Sequence, residues 1–170
     1  MATEIERKFL VSPGAWQPRP GAGTLHRQGY LSGDPERIVR IRIAGDEAFV
    51  TVKGRTHGIS RLEFEYPIPV SDAATMLDQL CPGPLVEKRR YEQPYAGLLW
   101  EIDVFEGDNA GLVLAEVELP TPTTPIVLPP WVGREVSNDP RYFNSNLVAQ
   151  PFGRWGRSPA PPQDRAKTDR

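Results

Sequence analysis

The chain is poor in metal-binding and disulfide-forming residues, with one cysteine and two histidines among 170 residues. This excludes an internal disulfide framework and leaves too few ligands for an ordinary zinc site. Low cysteine usage predicts a reducing, cytoplasmic environment. The sequence also lacks any apolar run near the roughly 20 residues that span a bilayer. Its start, MATEIERKFLV, carries charges and no long apolar stretch. We therefore expect no membrane partner and no secretory signal.

Charge is divided unevenly along the chain. Residues 1–150 hold 15 basic and 20 acidic side chains, whereas residues 151–170 hold five basic and two acidic ones. The acidic balance of the larger part argues against duplex nucleic acid as a partner. Hydrophobic residues make up 39% and charged residues 25% of the chain, which is typical of a globular domain. We predict one domain over residues 1–150 and a disordered, basic, proline-rich tail over residues 151–170.

Strand patterns dominate the predicted domain. Apolar and polar side chains alternate in eight short runs that are separated by turn-forming glycine, proline, aspartate and asparagine. The runs are residues 3–11, 24–32, 37–44, 48–54, 60–69, 85–93, 98–106 and 112–120. This pattern predicts an α+β protein that is mainly β, with an antiparallel sheet that closes or nearly closes into a barrel.

Two helices are predicted outside these runs, and both should cover apolar strand faces. The first spans residues 71–80 with Ser71 as its N-cap. Its expected apolar stripe is Val70, Ala74, Leu77 and Cys81. The second spans residues 138–150, with Asp139 at the cap and Pro140 at the first helical position.

One face of nearly every run carries charge. Glu4, Glu6 and Lys8 share a face because side chains two residues apart point the same way. The other charged positions with this alternation are Arg40, Arg42, Lys53, Arg61, Glu63, Glu65, Lys88, Arg90, Glu101, Asp103, Glu116 and Glu118. Either these faces are solvated around a conventional core, or they line a polar tunnel whose apolar faces lie outside. Acid pairs on some strands and base pairs on others favour the tunnel.

A polar tunnel needs a function, because buried charge is costly unless it is paired or binds ions. Arginine and lysine clusters bind phosphate oxygens. Carboxylates instead bind hard cations such as Mg²⁺ or Mn²⁺. Acidic and basic pairs in one tunnel therefore predict a site for a divalent metal together with a polyphosphate.

On these residues the chain resembles the CYTH family, also called triphosphate tunnel metalloenzymes. EIERK at residues 4–8 matches the family's ExExK signature. The later matches, in order, are QGYL (28–31), VRIR (39–42), TVKG (51–54), RLEFE (61–65), EKRRY (87–91), WEIDVF (100–105), AEVEL (115–119) and WVGREVSNDPRYFNSNL (131–147). The resemblance covers about residues 3–148. It implies an eight-stranded tunnel for a linear triphosphate, and a requirement for one or two divalent ions, Mg²⁺ or Mn²⁺.

The resemblance also implies roles for individual residues. The phosphate-binding bases by position are Lys8, Arg40, Arg42, Lys53, Lys88 and Arg90. The metal-side acids are Glu4, Glu6, Asp103, Glu116 and Glu118. Glu63 and Glu65 match a pair that binds a second metal or orients the attacking water. The candidate catalytic residues are accordingly Lys8, Tyr30, Glu63 and Glu65.

The roles of several other residues stay open at this stage. Tyr30 hydrogen-bonds either a terminal phosphate or Lys8, or is an aromatic residue at the tunnel rim. Arg61 either orients or neutralises the Glu63 and Glu65 pair, and Glu101 could be an ion-pair partner. Residues expected to stay outside the chemistry are His26, as peripheral, and Trp16 and Trp131, as packing residues.

The predicted function is hydrolysis of inorganic triphosphate to pyrophosphate and phosphate inside the tunnel. The family also contains class IV-type adenylate cyclases and thiamine-triphosphatases. Both need a place for an organic group, and the sequence has no base-stacking or thiamine-specific constellation. A non-catalytic polyphosphate-binding module is the alternative of a different class, disfavoured because a pure binder does not need so many carboxylates. The expected partner is a small polyphosphate, and a homodimer through an exposed strand face stays open.

Overall fold

The computed structural model describes residues 3–19, 21 and 23–156. Within them the strands are β1 (Thr3–Val11), β2 (Thr24–Ser32), β3 (Arg37–Ala44), β4 (Glu47–Gly54), β5 (Ser60–Pro67), β6 (Val86–Tyr95), β7 (Leu98–Phe105), β8 (Val113–Glu118) and β9 (Val132–Glu135). The α-helices are α1 (Val70–Gln79) and α2 (Asn144–Ala149), and short 3-10 helices cover Gly107–Asn109, Pro140–Tyr142 and Phe152–Arg154. No described helix is long and apolar enough to cross a membrane.

The strands form one antiparallel sheet that closes on itself. Their order is β5-β4-β3-β2-β6-β7-β8-β1-β9, and β5 also pairs with β1. Strand β1 uses Thr3 to Ile5 for β5 and Glu6 to Leu10 for β8. Farther along β1, Phe9 and Val11 pair with β9. The eight-stranded antiparallel barrel is therefore confirmed, and β9 is an additional outer strand that the alternation did not predict.

The charged faces point into the barrel and the apolar faces point outward. On β8, Glu116 lines an internal cavity, whereas its neighbours Ala115 and Val117 belong to an outer apolar cluster. This is the tunnel arrangement, and it excludes the alternative of a conventional core surrounded by solvated charges.

Three apolar clusters cover the outside of the barrel. The first joins Phe9 and Trp100 to Trp131, with Trp16 packed against it. The second is formed by Phe105, Leu114, Leu147 and their neighbours, and the third lies under α1. Trp16 and Trp131 are therefore packing residues, as predicted.

Helix α1 is rotated relative to the predicted stripe. Ala73 and Leu77 are buried, whereas Val70 and Ala74 are exposed. Pro69 precedes the helix and no side chain caps it, so the prediction of Ser71 as N-cap is wrong, because the helix already begins at Val70. The chain after the helix lies close to β2, where a Cβ on Gly29 would meet the Cys81 and Leu85 side chains at 2.9 Å. A glycine is thus required for this approach.

The second predicted helix is interrupted. Asp139 caps a 3-10 helix as expected, since its side chain accepts a hydrogen bond from the Arg141 backbone N–H. Phe143 is extended and separates this turn from α2.

The predicted tail begins inside the described part of the chain. Residues 151–156 are described, and Phe152 and Trp155 pack against the second cluster. Residues 157–170 lie outside the described residues.

Candidate active site

A cavity of about 500 Å³ lies inside the barrel, a size typical of small-molecule sites. Fourteen charged side chains line it, in equal numbers of each sign. The acidic ones are Glu4, Glu6, Glu63, Glu65, Glu101, Glu116 and Glu118, and the basic ones are Lys8, Arg40, Arg42, Lys53, Arg55, Arg61 and Arg90. The structure thus brings together most of the residues predicted from the sequence.

Strands β1 and β8 supply an acidic group around one lysine. Lys8 lies opposite Glu116, and Glu6 opposite Glu118. The Nζ of Lys8 is 2.8 Å from Oε1 of Glu116 and 3.6 Å from Oε1 of Glu6. Burial, and then the charge of Glu116, raise the pKa of Glu6 to about 7. One lysine therefore does not neutralise these acids, and additional positive charge would be stabilised beside them.

The start of β1 meets β5 in a second cluster. Lys53 Nζ lies 2.7 Å from Glu63 Oε2 and 3.3 Å from Glu4 Oε1. Arg61 Nε donates to Glu4 Oε2 at 2.5 Å. Burial alone would raise the pKa of Glu4, but Lys53 and Arg61 lower it to about 2. Arg61 is thus the hydrogen-bonding partner of Glu4, because β1 is its neighbour in the closed barrel. Its charge also acts on Glu63, but it forms no ion pair with Glu63 or Glu65 among the described residues.

Strands β3, β4 and β5 hold a third cluster around Glu65. Its carboxylate accepts hydrogen bonds from Arg40 Nη2 at 3.1 Å, Arg42 Nη2 at 2.9 Å and Thr51 Oγ1 at 2.7 Å. Burial raises the pKa of Glu65, but the Thr51 bond and the two arginines outweigh this and lower it. Thr51 was missed as a site residue, although it shares the inward face with Lys53 and that alternation could have identified it.

Lys88 and Asp103 lie behind the cavity wall. Asp103 is fully buried and Lys88 is 1% exposed. Asp103 accepts from Lys88 and from Arg90, whose Nε and Nη2 each lie 2.7 Å from one of its oxygens. Burial raises the pKa of Asp103, but Arg90 and Lys88 lower it overall. Neither Lys88 nor Asp103 lines the cavity, whereas Arg90 does.

Arg90 connects this hidden pair to the cavity acids. Its Nη2 also donates to Glu116 Oε2 at 2.8 Å, and its Nη1 donates to Glu101. Glu101 is therefore an ion-pair partner, as anticipated, and it also lines the cavity. His26, expected to be peripheral to the chemistry, is buried beside this group and does not line the cavity. Burial, Arg90 and Lys88 lower its pKa to about 3, so His26 is neutral.

Tyr30 lies in the barrel interior and is not a rim residue. It lines the cavity, is 9% exposed, and stands opposite Arg40 on β3. Its hydroxyl accepts a hydrogen bond from Gln28 Nε2 at 2.8 Å. Burial raises the pKa of the Tyr30 phenol, which therefore stays protonated at neutral pH.

Neutral residues complete one part of the cavity wall. They come from the β2–β3 and β4–β5 connections and from the chain after β9, and include Gly33, Thr56, Ser137, Phe143 and Asn144. Ser137 is attached to β1, because its Oγ accepts a hydrogen bond from the Lys8 backbone N–H at 2.9 Å. These residues carry no charge. The family motif over residues 131–147 contains Ser137, Phe143 and Asn144, but no sequence pattern identified Gly33 or Thr56 as cavity residues.

The acids fit a divalent cation by their chemistry. Among the described residues, no three Asp, Glu, His or Cys side chains are already clustered as a metal site, since most carboxylates turn toward lysine or arginine. Glu118 lines the cavity and forms no ion pair with another described residue, and the pKa of Glu6 is raised by burial and by Glu116. Glu6 and Glu118 thus offer carboxylate oxygens without a close cationic partner, beside Glu116, whose charge Lys8 and Arg90 already compensate. Carboxylate oxygens of this kind suit Mg²⁺ or Mn²⁺.

Comparisons with a family model, with curated relatives and with solved structures all indicate the same family. The model of the CYTH domain matches residues 2–150. The inorganic triphosphatase of Acetivibrio thermocellus is 49% identical over 152 residues, covering 89% of this chain and 97% of the relative. The inorganic triphosphatase of Nitrosomonas europaea is 41% identical over 157 residues, covering 86% and 97%. A crystal structure of an inorganic triphosphatase aligns with a TM-score of 0.61 at 38% identity, covering 87% of this chain and 95% of the other.

Proposed function

The chain belongs to the CYTH domain family, and from this premise we propose that it is an enzyme that hydrolyses inorganic triphosphate to pyrophosphate and phosphate. The observation that carries the proposal is the barrel cavity, in which seven acidic and seven basic side chains face one another. The basic groups match phosphate oxygens, and the acidic groups match a hard cation that accompanies them. Two relatives at 49% and 41% identity are inorganic triphosphatases, which supports the same substrate.

The basic residues bind the substrate. Lys8, Arg40, Arg42, Lys53 and Arg90 line the cavity from β1, β3, β4 and β6, so they contact a linear triphosphate from several sides. Holding the chain in place and neutralising its charge account for most of the catalysis of phosphoryl transfer. Asp103 acts from behind the cavity wall, because it accepts two hydrogen bonds from Arg90 and holds its guanidinium toward the cavity, while Lys88 pairs with Asp103 and does not itself line the cavity.

The acidic residues divide into two groups. Glu6, Glu116 and Glu118 would hold a divalent ion, Mg²⁺ or Mn²⁺, as the family's metal dependence requires, with Glu4 beside them. When bound, such an ion neutralises phosphate charge and polarises a phosphoryl oxygen. Glu63 and Glu65 would hold a second ion or orient the attacking water. Glu63 is the better base of the two, since burial and the neighbouring Glu4 carboxyl raise its pKa although Lys53 opposes them, whereas the Glu65 carboxylate is engaged by two arginines and Thr51.

The test is release of phosphate and pyrophosphate from tripolyphosphate, ATP and thiamine triphosphate, each with Mg²⁺, Mn²⁺ or EDTA. We expect equal amounts of phosphate and pyrophosphate from tripolyphosphate, rapid turnover with metal and none with EDTA. Faster release from ATP or thiamine triphosphate would assign the cavity to the other family activities. Tight binding without any product would leave only a polyphosphate-binding module.

We also propose a cytoplasmic location for the protein, as its low cysteine content predicts. The homodimer stays a separate proposal, and sedimentation of the purified protein tests it.

A further inference from the structure

Gln28 is a polar side chain in the barrel wall that the proposed chemistry leaves without a role. It is fully buried on β2, two residues before Tyr30 and on the same inner face. Its Nε2 donates to the Tyr30 hydroxyl at 2.8 Å, and its Oε1 has no hydrogen-bond partner among the described residues. An amide buried this completely is costly, and its one hydrogen bond to a described residue is to a cavity-lining hydroxyl.

The surroundings of Tyr30 restrict what its own proton can do. A tyrosine hydroxyl carries one donor and accepts through its lone pairs. The Gln28 amide already donates to this oxygen. The nearby charges that affect the phenol are Arg40, Lys8 and Arg61, and none of these side chains can accept a hydrogen bond. Apart from the Gln28 bond, the hydroxyl has no side-chain hydrogen bond within the described part of the chain.

We propose that Gln28 is a positioning residue that fixes the Tyr30 hydroxyl as a hydrogen-bond donor to a phosphate oxygen of the substrate. The amide N–H occupies the acceptor side of the hydroxyl, so the O–H is directed away from Gln28. The cations around it repel a positive partner and attract an anionic oxygen. Tyr30 thus contacts the triphosphate as a neutral donor among cationic ones, and Gln28 acts only through Tyr30.

This inference rests on the proposed triphosphatase function, and a double-mutant cycle tests it. Tyr30→Phe should lower kcat/KM for tripolyphosphate by about 10- to 100-fold, as expected for one hydrogen bond to a charged group. Gln28→Met, of similar size but without hydrogen bonds, should lower it about 3- to 10-fold. In the Tyr30→Phe background, Gln28→Met should cause no further loss beyond about twofold.

Gln28→Glu tests the direction of the hydrogen bond. A carboxylate at this position accepts from the Tyr30 O–H and turns it away from the substrate, so the loss should exceed that of Gln28→Met. Reversal of the hydrogen bond requires the Tyr30 hydroxyl, so the loss of activity that it causes should vanish in the Tyr30→Phe background. A loss caused only by repulsion between the new carboxylate and the substrate would persist there. Wild-type activity in Gln28→Glu would overturn the proposal, because it would mean that Gln28 normally accepts from Tyr30.

Gln93→Met provides a matched control. Gln93 Oε1 accepts a hydrogen bond from Trp16 Nε1 at 2.9 Å beside the first outer cluster, and it does not line the cavity. This variant loses a glutamine–aromatic bond of the same kind, so its stability should change but its kcat and KM should stay within about twofold of wild type. If Gln93→Met and Gln28→Met lower activity equally, the effect of Gln28 is structural and the proposal fails.

Calorimetric titration with tripolyphosphate in EDTA supplies a readout without turnover. We expect Tyr30→Phe to weaken binding more than Gln28→Met does, in the same order as their losses of kcat/KM, with no weakening in the double variant beyond that of Tyr30→Phe. Independent, multiplicative losses would overturn the inference. Gln28→Leu replaces Gln28→Met if the latter does not fold. A wild-type protein that releases no phosphate contradicts the proposed function itself, whereas an active wild type with an unchanged Gln28→Met contradicts only this inference.

Discussion

Two clusters of opposite charges inside the barrel look alike in sequence and differ in structure. One surrounds Lys8 and contains Glu6, Glu116 and Glu118, and the other joins Asp103 to Lys88 and Arg90. Both consist of charged residues that alternate with apolar ones on neighbouring strands. The Asp103 cluster is sealed, with both carboxylate oxygens occupied. The Lys8 cluster faces the cavity with three glutamates around one lysine, and burial, followed by the charge of Glu116, raises the pKa of Glu6 to about 7.

The difference separates two uses of buried charge. A saturated pair leaves no free ligand atom, so it can only fix neighbouring side chains, here Arg90. A cluster whose carboxylates outnumber its cationic side chains instead attracts cations that neutralise them. Mutations should therefore affect mainly stability in the sealed cluster and mainly turnover in the cavity cluster.

The largest effect is expected from Asp103→Ala. Removing this carboxylate leaves Lys88 and Arg90 buried without it, which should lower the free energy of unfolding by about 3–5 kcal/mol. Urea denaturation of the metal-free protein measures it. Glu87→Ala is the control, since Glu87 forms an exposed pair with Arg27 at 2.9 Å and should cost at most about 1 kcal/mol. A stable Asp103→Ala protein with weakened metal binding would instead make Asp103 a metal ligand, as the family resemblance implied.

Replacing both Asp103 and Lys88 tests whether the two side chains stabilise the protein as a pair. In Asp103→Leu combined with Lys88→Met, no lysine charge remains buried, so the double variant should recover about 1–3 kcal/mol relative to Asp103→Leu alone. Denaturation of the two single variants and the double variant completes the cycle. Additive losses would mean that the two side chains are not coupled.

In the cavity cluster the expected effect is on turnover. Lys8→Ala and Glu116→Ala should each lower kcat about 10²-fold or more, by loss of one electrostatic stabiliser. Phosphate release from tripolyphosphate with Mg²⁺ measures this. The matched control is Arg7→Ala, because Arg7 follows Glu6 on β1 but pairs with Glu135 at a partly exposed site. It should stay within about threefold of wild type; wild-type rates in Lys8→Ala and Glu116→Ala would contradict the assignment.

The smallest effect is expected outside both clusters, at Thr51 beside Glu65. Thr51→Val removes the hydrogen bond to Glu65 and should lower the free energy of unfolding by about 1 kcal/mol at pH 7. This bond helps to lower the pKa of Glu65. Its stabilisation is therefore fully present above the ordinary glutamate pKa and is lost as the pH falls through the lowered one. Denaturation at pH 7 and pH 3 should show the difference between the two proteins shrinking in acid, and a constant difference would contradict this role.

Alternation in the sequence predicted which face each charged side chain occupies, but not how deep it lies. Lys88 and Asp103 alternate with apolar neighbours in the same way as Arg90 and Glu101, yet only the second pair reaches the cavity. Depth depends on the stagger between strands around the barrel, which a single strand does not encode.

Contacts between the strands that close the barrel could not be predicted from the sequence either. Arg61 meets Glu4 because β1 and β5 pair with these residues opposite each other, and a run of alternating residues does not name its partner strand. Strand β9 has only four residues, too few for alternation to be recognised. Charge on β1 and β8, by contrast, was predictable because their acids and bases recur over several inward positions.

The closure of the barrel has a consequence for synthesis. Strand β1 is made first, but its partners β5, β8 and β9 begin at Ser60, Val113 and Val132. During translation β1 can pair with β5 once Pro67 has left the ribosome, but it must wait for β8 and β9 until Glu118 and Glu135 have emerged. Such non-local pairing slows folding, and a product that ends before β8 would carry Glu6 and Lys8 on an unpaired edge, exposed to aggregation.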